Sequence, residues 1–295
     1  MLFSMKSIKY FLAFVAVCWM FNDANAQLRS KYFYVGVSAG ATNYKGDLDD
    51  NFALKFTKPG FGFQGGYKFH PHMSLRLGFT QGWMKASDAK AARDIPRRRR
   101  NLSFRSPITE GSLVLVYEFF ANDRKYKYRP QYTPYLFAGV AAFAFNPQAK
   151  LGDEWYDLQP LGTEGQHLVD CGYPDCPKPY SLVQISFPFG AGIRYKLTDK
   201  IDLSLEIGLR KTTTDYLDDV SGRYPDLDAL RSEMGNQNGV PAAALLSDRI
   251  DRGVYPQGGE FWNGIRGDNS QDDWYVVTMV SANYILDWVK CPKFR

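Results

Sequence analysis

Histidine is nearly missing from this chain, with three among 295 residues. His70 and His72 share one His-Pro-His stretch, and His167 has only Ser181 as a conceivable nucleophile nearby. Acyl hydrolases and acyltransferases need a His within reach of their nucleophile, so the sequence argues for a non-enzymatic protein with no small-molecule substrate. Cysteine is as scarce, at four. Cys171 and Cys176 lack a second ligand pair, which argues against zinc, and no Gly-rich phosphate cradle joins a strand to a helix. No cofactor is expected. Charged residues make up 23% of the chain and the net charge is +5, a balance that demands no nucleic-acid partner. Long apolar runs are lacking too. The segment Phe11 to Phe21, behind Lys6 and Lys9 and ahead of Ala24-Asn25-Ala26, reads as a secretory signal over residues 1–26, leaving 27–295 as the mature domain. Val17 before Cys18 argues against lipidation there. After Gln27 nothing approaches the run of about 20 apolar residues a spanning helix needs, so a membrane, if entered, is entered by strands.

What is abundant is aromatic residues, 16%, with 26 glycines, and a period of two. Ile201, Leu203, Leu205, Ile207 and Leu209 alternate with Asp202, Ser204, Glu206, Gly208 and Arg210, the pattern of a strand with one apolar and one polar face. Phe61 to Phe69 and Met73 to Thr80 repeat it. Tyr32 to Tyr44, Gly111 to Phe120, Thr133 to Phe145, Leu182 to Lys196 and Trp274 to Leu286 bring the expected count to about eight. In Thr133 to Phe145 both faces are apolar or small, so its register stays open. Connections alternate in length. His70-Pro71-His72 and Leu197 to Lys200 are tight, Ala121 to Gln131 is intermediate, and Lys45 to Lys58, Lys85 to Leu102, Asn146 to Tyr180 and Lys211 to Asp273 are long. That is the pattern of short periplasmic turns and long extracellular loops. The expected fold is an all-β, transmembrane, antiparallel up-and-down β-barrel in the outer membrane of a Gram-negative cell, with short helices in its loops. A lipocalin-like barrel or a sandwich would alternate as well, with the apolar faces turned inward. Here the polar faces are glycine-rich and sparse in charge, which fits a narrow interior better.

With the apolar faces outward, Lys68, Arg76, Glu118, Arg194, Asp202 and Glu206 point into the lumen. An eight-strand barrel is just wide enough for side chains to fill it, so a mixed-sign plug is expected; the alternative is a merely solvated sheet face. Arg93, Arg97, Arg98, Arg99, Arg100 and Arg105 crowd the second long loop. Guanidinium groups pair bidentately with phosphate, so Arg97 to Arg100 could meet lipid A, or the loop could be solvated. Cys171 and Cys176 bracket a turn in an oxidising compartment, where a disulfide is expected. Cys291 is left over in a nine-residue tail, Asp287 to Arg295, that follows the last strand. The intermediate turn carries Arg124, Lys125, Lys127 and Arg129. In the longest loop, Pro225-Asp226 opens Leu227 to Met234 and Pro241 opens Ala242 to Arg252, each closed by glycine, as helices are.

The stretch Thr133 to Gln166, with its WYDLQPLGTEGQ block, the NYKGDL at Asn43 to Leu48 and the closing DDWYVVTMVSANYIL resemble the PorG-type outer-membrane barrels of Bacteroidota. The resemblance implies a barrel of the type IX secretion apparatus, set in outer-membrane lipid that includes lipopolysaccharide and partnered with periplasmic ring proteins. The residues it singles out are Tyr44, Gly46 and Asp47 in the first loop, and Asn146, Pro147, Trp155, Tyr156, Leu158, Pro160, Leu161, Gly162, Thr163 and Glu164 in the third. They read as a packed loop, with Trp155 and Tyr156 as anchors. A stand-alone barrel acting as adhesin or envelope stabiliser is the competing reading.

Overall fold

Side chains that alternate in polarity build strands with two unlike faces, and such strands bury one face only when the sheet curls. In the computed structural model, which describes residues 31–49, 54–90, 95–234, 242–250 and 264–286, they curl fully. The strands are β1 (Tyr32–Lys45), β2 (Lys58–His70), β3 (Met73–Ser87), β4 (Ser103–Glu118), β5 (Tyr132–Phe145), a small hairpin of β6 (Gln148–Leu151) and β7 (Glu154–Asp157), then β8 (Val183–Lys196), β9 (Ile201–Thr212) and β10 (Trp274–Leu286). Omitting β6 and β7, each strand pairs antiparallel with the next, and β10 returns to β1 with Leu286 opposite Phe33 and Trp274 opposite Lys45. The result is a closed, eight-strand, up-and-down barrel with no free sheet edge around its girth.

The two ends differ. At the turn end, β2 and β3 are joined through Pro71 and His72, while Ile201 accepts from the Leu197 and Thr198 amides at 3.0 Å each to close the β8–β9 turn. At the loop end lie the long connections, which carry the β6–β7 hairpin and three short helices: α1 (Ile95–Arg100), α2 (Leu227–Met234) and α3 (Ala242–Ser247). Asp226 caps α2 by accepting from the Asp228 and Ala229 amides at 2.8 and 3.1 Å, as an N-cap side chain does.

Faces follow the alternation. Val37, Phe61, Phe63, Leu77, Leu113, Ile185, Ile207 and Val280 are outward and exposed. Inward positions hold polar groups, glycines and aromatic rings, from Tyr32 and Tyr34 at the turn end to Phe143 and Phe145 at the loop end. Where a phenol ring lies over the adjoining strand, its cross-strand partner is glycine: a Cβ at Gly66 would stand 2.2 Å from the Tyr34 ring, and one at Gly192 would stand 2.4 Å from the Tyr135 ring.

Two expectations need correction and one open register is settled. The strand expected from Gly111 begins at Ser103, and β3 runs on to Ser87, so Arg105 stands on a strand and not in a loop. Pro107 disguised this. It sits just above Ile108, where the β4–β5 ladder has already ended at Phe145, a place where a missing N–H costs little. Strand β5 turns its larger side chains inward: Tyr135, Phe137, Phe143 and Phe145 are buried, while Leu136, Ala138, Val140, Ala142 and Ala144 face out. Helix α3 ends at Ser247 and residues 248–250 are not helical, so the expected helix to Arg252 is too long; Arg252 itself lies outside the described residues, as do residues 1–26, Cys291 and the tail.

Candidate functional site

Inward alternation on β2, β3, β4, β8 and β9 brings the expected luminal residues together as stacked ion pairs. At the turn end Glu118 bonds the Lys68 ammonium through Oε2 and Arg194 through Oε1, the latter at 2.5 Å. One level up, Arg76 grips Glu206 bidentately at 2.6 and 3.1 Å, and Tyr135 donates to the same carboxylate at 3.1 Å. Higher still is a pair that the sequence reading did not single out: Arg210 and Tyr275 donate to Glu110 at 3.2 and 2.7 Å. Arg210 stood on the polar face of its strand in the sequence, whereas Glu110 fell one residue outside the expected strand. Asp202 finds its partner off the wall altogether. Arg129, one of the four basic residues of the intermediate turn, reaches back to Asp202 at 2.6 and 2.9 Å and also donates to the carbonyls of Tyr126, Thr198 and Asp199. The turn therefore closes the barrel end: Tyr126 packs on Tyr32, Tyr34 and Ile285, while Arg124, Lys125 and Lys127 stay exposed.

Above the ion pairs an apolar layer fills the bore, with Tyr44, Met84, Phe104, Ile108, Phe143, Phe145 and Met279 in one cluster. The long connections form a lid on it, locked by Glu164 and Arg266. Glu164 is fully buried and accepts from the Ser221 and Gly222 amides at 2.9 and 3.1 Å and from Arg266 at 2.9 Å. Asp219 accepts from Thr163 at 2.5 Å and Tyr180 at 2.6 Å; burial pushes its carboxyl up to about 6, against the pull of Arg266. Tyr44 touches Asp218 at 2.5 Å and Asp273 at 3.0 Å. Only glycine fits at position 46, where a Cβ would lie 1.7 Å from Asp273 Oδ1. The Asp47 carboxylate accepts from the Asp268 amide at 3.1 and 3.2 Å, and burial pushes it up to about 6.

The remaining residues of the third-loop block are framework. Asn146 donates to Asp157 at 3.0 Å, and the Leu158 amide donates to Pro147 at 2.9 Å. Pro160 and Leu161 form a short helical turn that Gly162 ends with φ +58°. Tyr156 and Leu161 pack against the apolar cluster. Trp155 is 41% exposed and lies on the outer side, beneath the Arg105 guanidinium at 3.4 Å from its ring centre, so it is not a buried anchor. Cys171 and Cys176 are bridged, and Cys171 packs with Leu230, Ala243 and Ala244 of α2 and α3.

The arginine run divides. Arg98 is exposed and Arg97 belongs to α1, while Arg93 lies outside the described residues. Arg100 is turned inward and is not available to a lipid: it grips Asp88 at 2.8 and 2.9 Å and donates to the carbonyls of Asp47 and Arg266. Arg99 is half-buried and also has a partner. His167 and Ser181 each contact a backbone carbonyl, of Gln159 and Val183, and not one another. An acidic cleft of about 240 Å³ between the ends of β1 and β10 is lined by Asp47, Asp215, Asp268, Asp272 and Asp273. Among the described residues no group of His, Cys, Asp or Glu has the geometry to hold a metal.

Residues 9–157 match the family model described as a domain of unknown function, DUF6089. Solved structures with a similar chain path include Neisserial surface protein A (11% identity, 85% of this chain and 96% of that one, TM-score 0.41). Ail of Yersinia pestis, in complex with the heparin analogue sucrose octasulfate, is another (8%, 87% and 99%, 0.40), as is the outer membrane protein OprG of Pseudomonas aeruginosa (10%, 89% and 100%, 0.37). None of the curated proteins matches in sequence.

Proposed function

The chain belongs to the DUF6089 family, and from that premise we propose that it is a non-enzymatic outer-membrane barrel of the type IX protein secretion apparatus, holding or contacting periplasmic ring components through its turn end. The observation that carries this reading is a wall that is apolar outside around a bore that, among the described residues, is occupied by stacked ion pairs and apolar layers. Exposed Phe, Leu, Val and Ile side chains surround the barrel, a surface unfavourable in water and suited to acyl chains. Ion pairs and aromatic layers occupy the interior, so the barrel is a support and not a conduit. Its work then falls to its two ends. The turn end offers a held, basic connection with Arg124, Lys125 and Lys127 exposed, and the sequence resemblance to PorG-type barrels supports a ring partner there.

The mass of ordered loop at the opposite end favours a second reading, an adhesin or envelope-stabilising barrel. Co-purification separates the two. A tagged barrel should bring down periplasmic ring proteins, and deletion should abolish export of type IX cargo. A barrel that comes down alone, with export intact, would favour the adhesin.

A further inference from the structure

Among the described residues the outer wall carries a like-charged pair with no anionic partner. Lys85 on β3 and Arg105 on β4 are direct cross-strand partners, both on the outward face, and like charges so opposed destabilise a sheet. Among the described residues Lys85 has no hydrogen bond or ion pair. Arg105 is oriented by neutral groups: it donates to the Gln148 side chain at 3.0 Å and stacks on Trp155. Asp157, opposite Gln148 in the β6–β7 hairpin, turns one oxygen, Oδ1, to the side-chain amides of Gln148 and Asn146. Two cations are thus held side by side with their donors free to turn outward. Below them the same two strands present Trp83, Phe79, Leu77, Leu113 and Leu115, all exposed. Above them the β3–β4 connection carries the exposed Arg98.

We infer that Lys85 and Arg105 form a binding site for the phosphate of a membrane lipid, whose acyl chains lie along the apolar wall beneath. The inference rests on the outer-membrane reading of that wall, and it moves lipid contact from the arginine run of the loop to the rim of the barrel. A lipid is the occupant because the pair sits at the boundary between cationic and apolar surface, where a molecule with an anionic head and hydrocarbon tails is satisfied along its whole length. A guanidinium and an ammonium at this spacing supply the planar fork and the point charge that phosphate oxygens accept.

The test is native mass spectrometry of the full barrel, released from detergent with bisphosphorylated lipid A or its dephosphorylated counterpart. The wild type should retain the phosphorylated lipid about thirtyfold better, the scale expected of two cations at a membrane surface. Lys85→Gln/Arg105→Gln should lose that preference, while Lys211→Gln, on the far wall, keeps it. Should the double variant fail to fold, Lys85→Gln alone should narrow the preference. Inorganic phosphate in excess should leave it in place. A folded double variant with undiminished preference overturns the site, as does loss of preference to free phosphate. Either result leaves the membrane reading standing. A chain that stays soluble and monomeric without detergent overturns the membrane reading itself.

Discussion

Tyr44 has one hydroxyl proton and two carboxyl neighbours, Asp218 at 2.5 Å and Asp273 at 3.0 Å. It can donate to one alone, so the second contact is favourable only if that carboxyl carries its own proton. Burial pushes Asp218 and Asp273 well above the usual carboxylate range, and each is raised further by acidic neighbours; Asp215 beside them is pushed up to about 9. Groups whose folded value exceeds the unfolded one stabilise fully below the unfolded value and lose that contribution as pH rises through the folded one. The lid is therefore most secure in acid. Protease cleavage within residues 213–234 should increase as pH is raised from 5 toward 9, and Asp218→Asn should flatten the dependence. In the bore, Glu118 alone answers both Lys68 and Arg194. Glu118→Gln strands two buried cations and should cost about 3 kcal/mol or more, read as a lowered unfolding midpoint in detergent. The charged wall residues were legible in the sequence because alternation fixes their face. Arg129 was not, since nothing local tells a turn residue to fold back onto Asp202.

Strands β9 and β2 could be read directly, because each apolar residue alternates with a polar or glycine neighbour. Strand β5 could not. Its outward face is Leu136, Ala138, Val140, Ala142 and Ala144 and its inward face carries the rings, so hydrophobicity alone does not separate them; the neighbours on the adjoining strand do, with Val114 and Val116 of β4 packing on Tyr135 and Phe137. A charge on the outward face tests the register. Val140→Lys should cost about 2–4 kcal/mol in a bilayer if that position is near the midplane, whereas in a soluble barrel an outward lysine would cost little. Folding yield into liposomes measures it. The lid was legible only in part. Helices α2 and α3 announced their starts by proline, although α3 stops at Ser247 and α1 was not singled out, and Glu164 stood in a distinctive block. Its partners Ser221, Gly222 and Arg266 lie 57 to 102 residues away along the chain, and pairing at that distance leaves no local trace.

At the scale of the molecule the barrel separates two tasks: a wall that meets its surroundings with hydrocarbon, and an interior that satisfies its charges internally. Buried ion pairs contribute little net stability by themselves, but they fill the bore with groups that an apolar core would replace only at the cost of repacking every layer. In planar bilayers the purified barrel should show no large, stable conductance; steady pores would contradict the filled interior. The more basic claim is the direction of the apolar faces. Spin labels at Val37→Cys, Leu77→Cys and Ile207→Cys, in barrels reconstituted into liposomes, report whether each site is reached by lipid-soluble oxygen or by a water-soluble paramagnetic complex. The account predicts relaxation by oxygen and protection from the complex at all three positions. Relaxation by the water-soluble complex at those sites would contradict it.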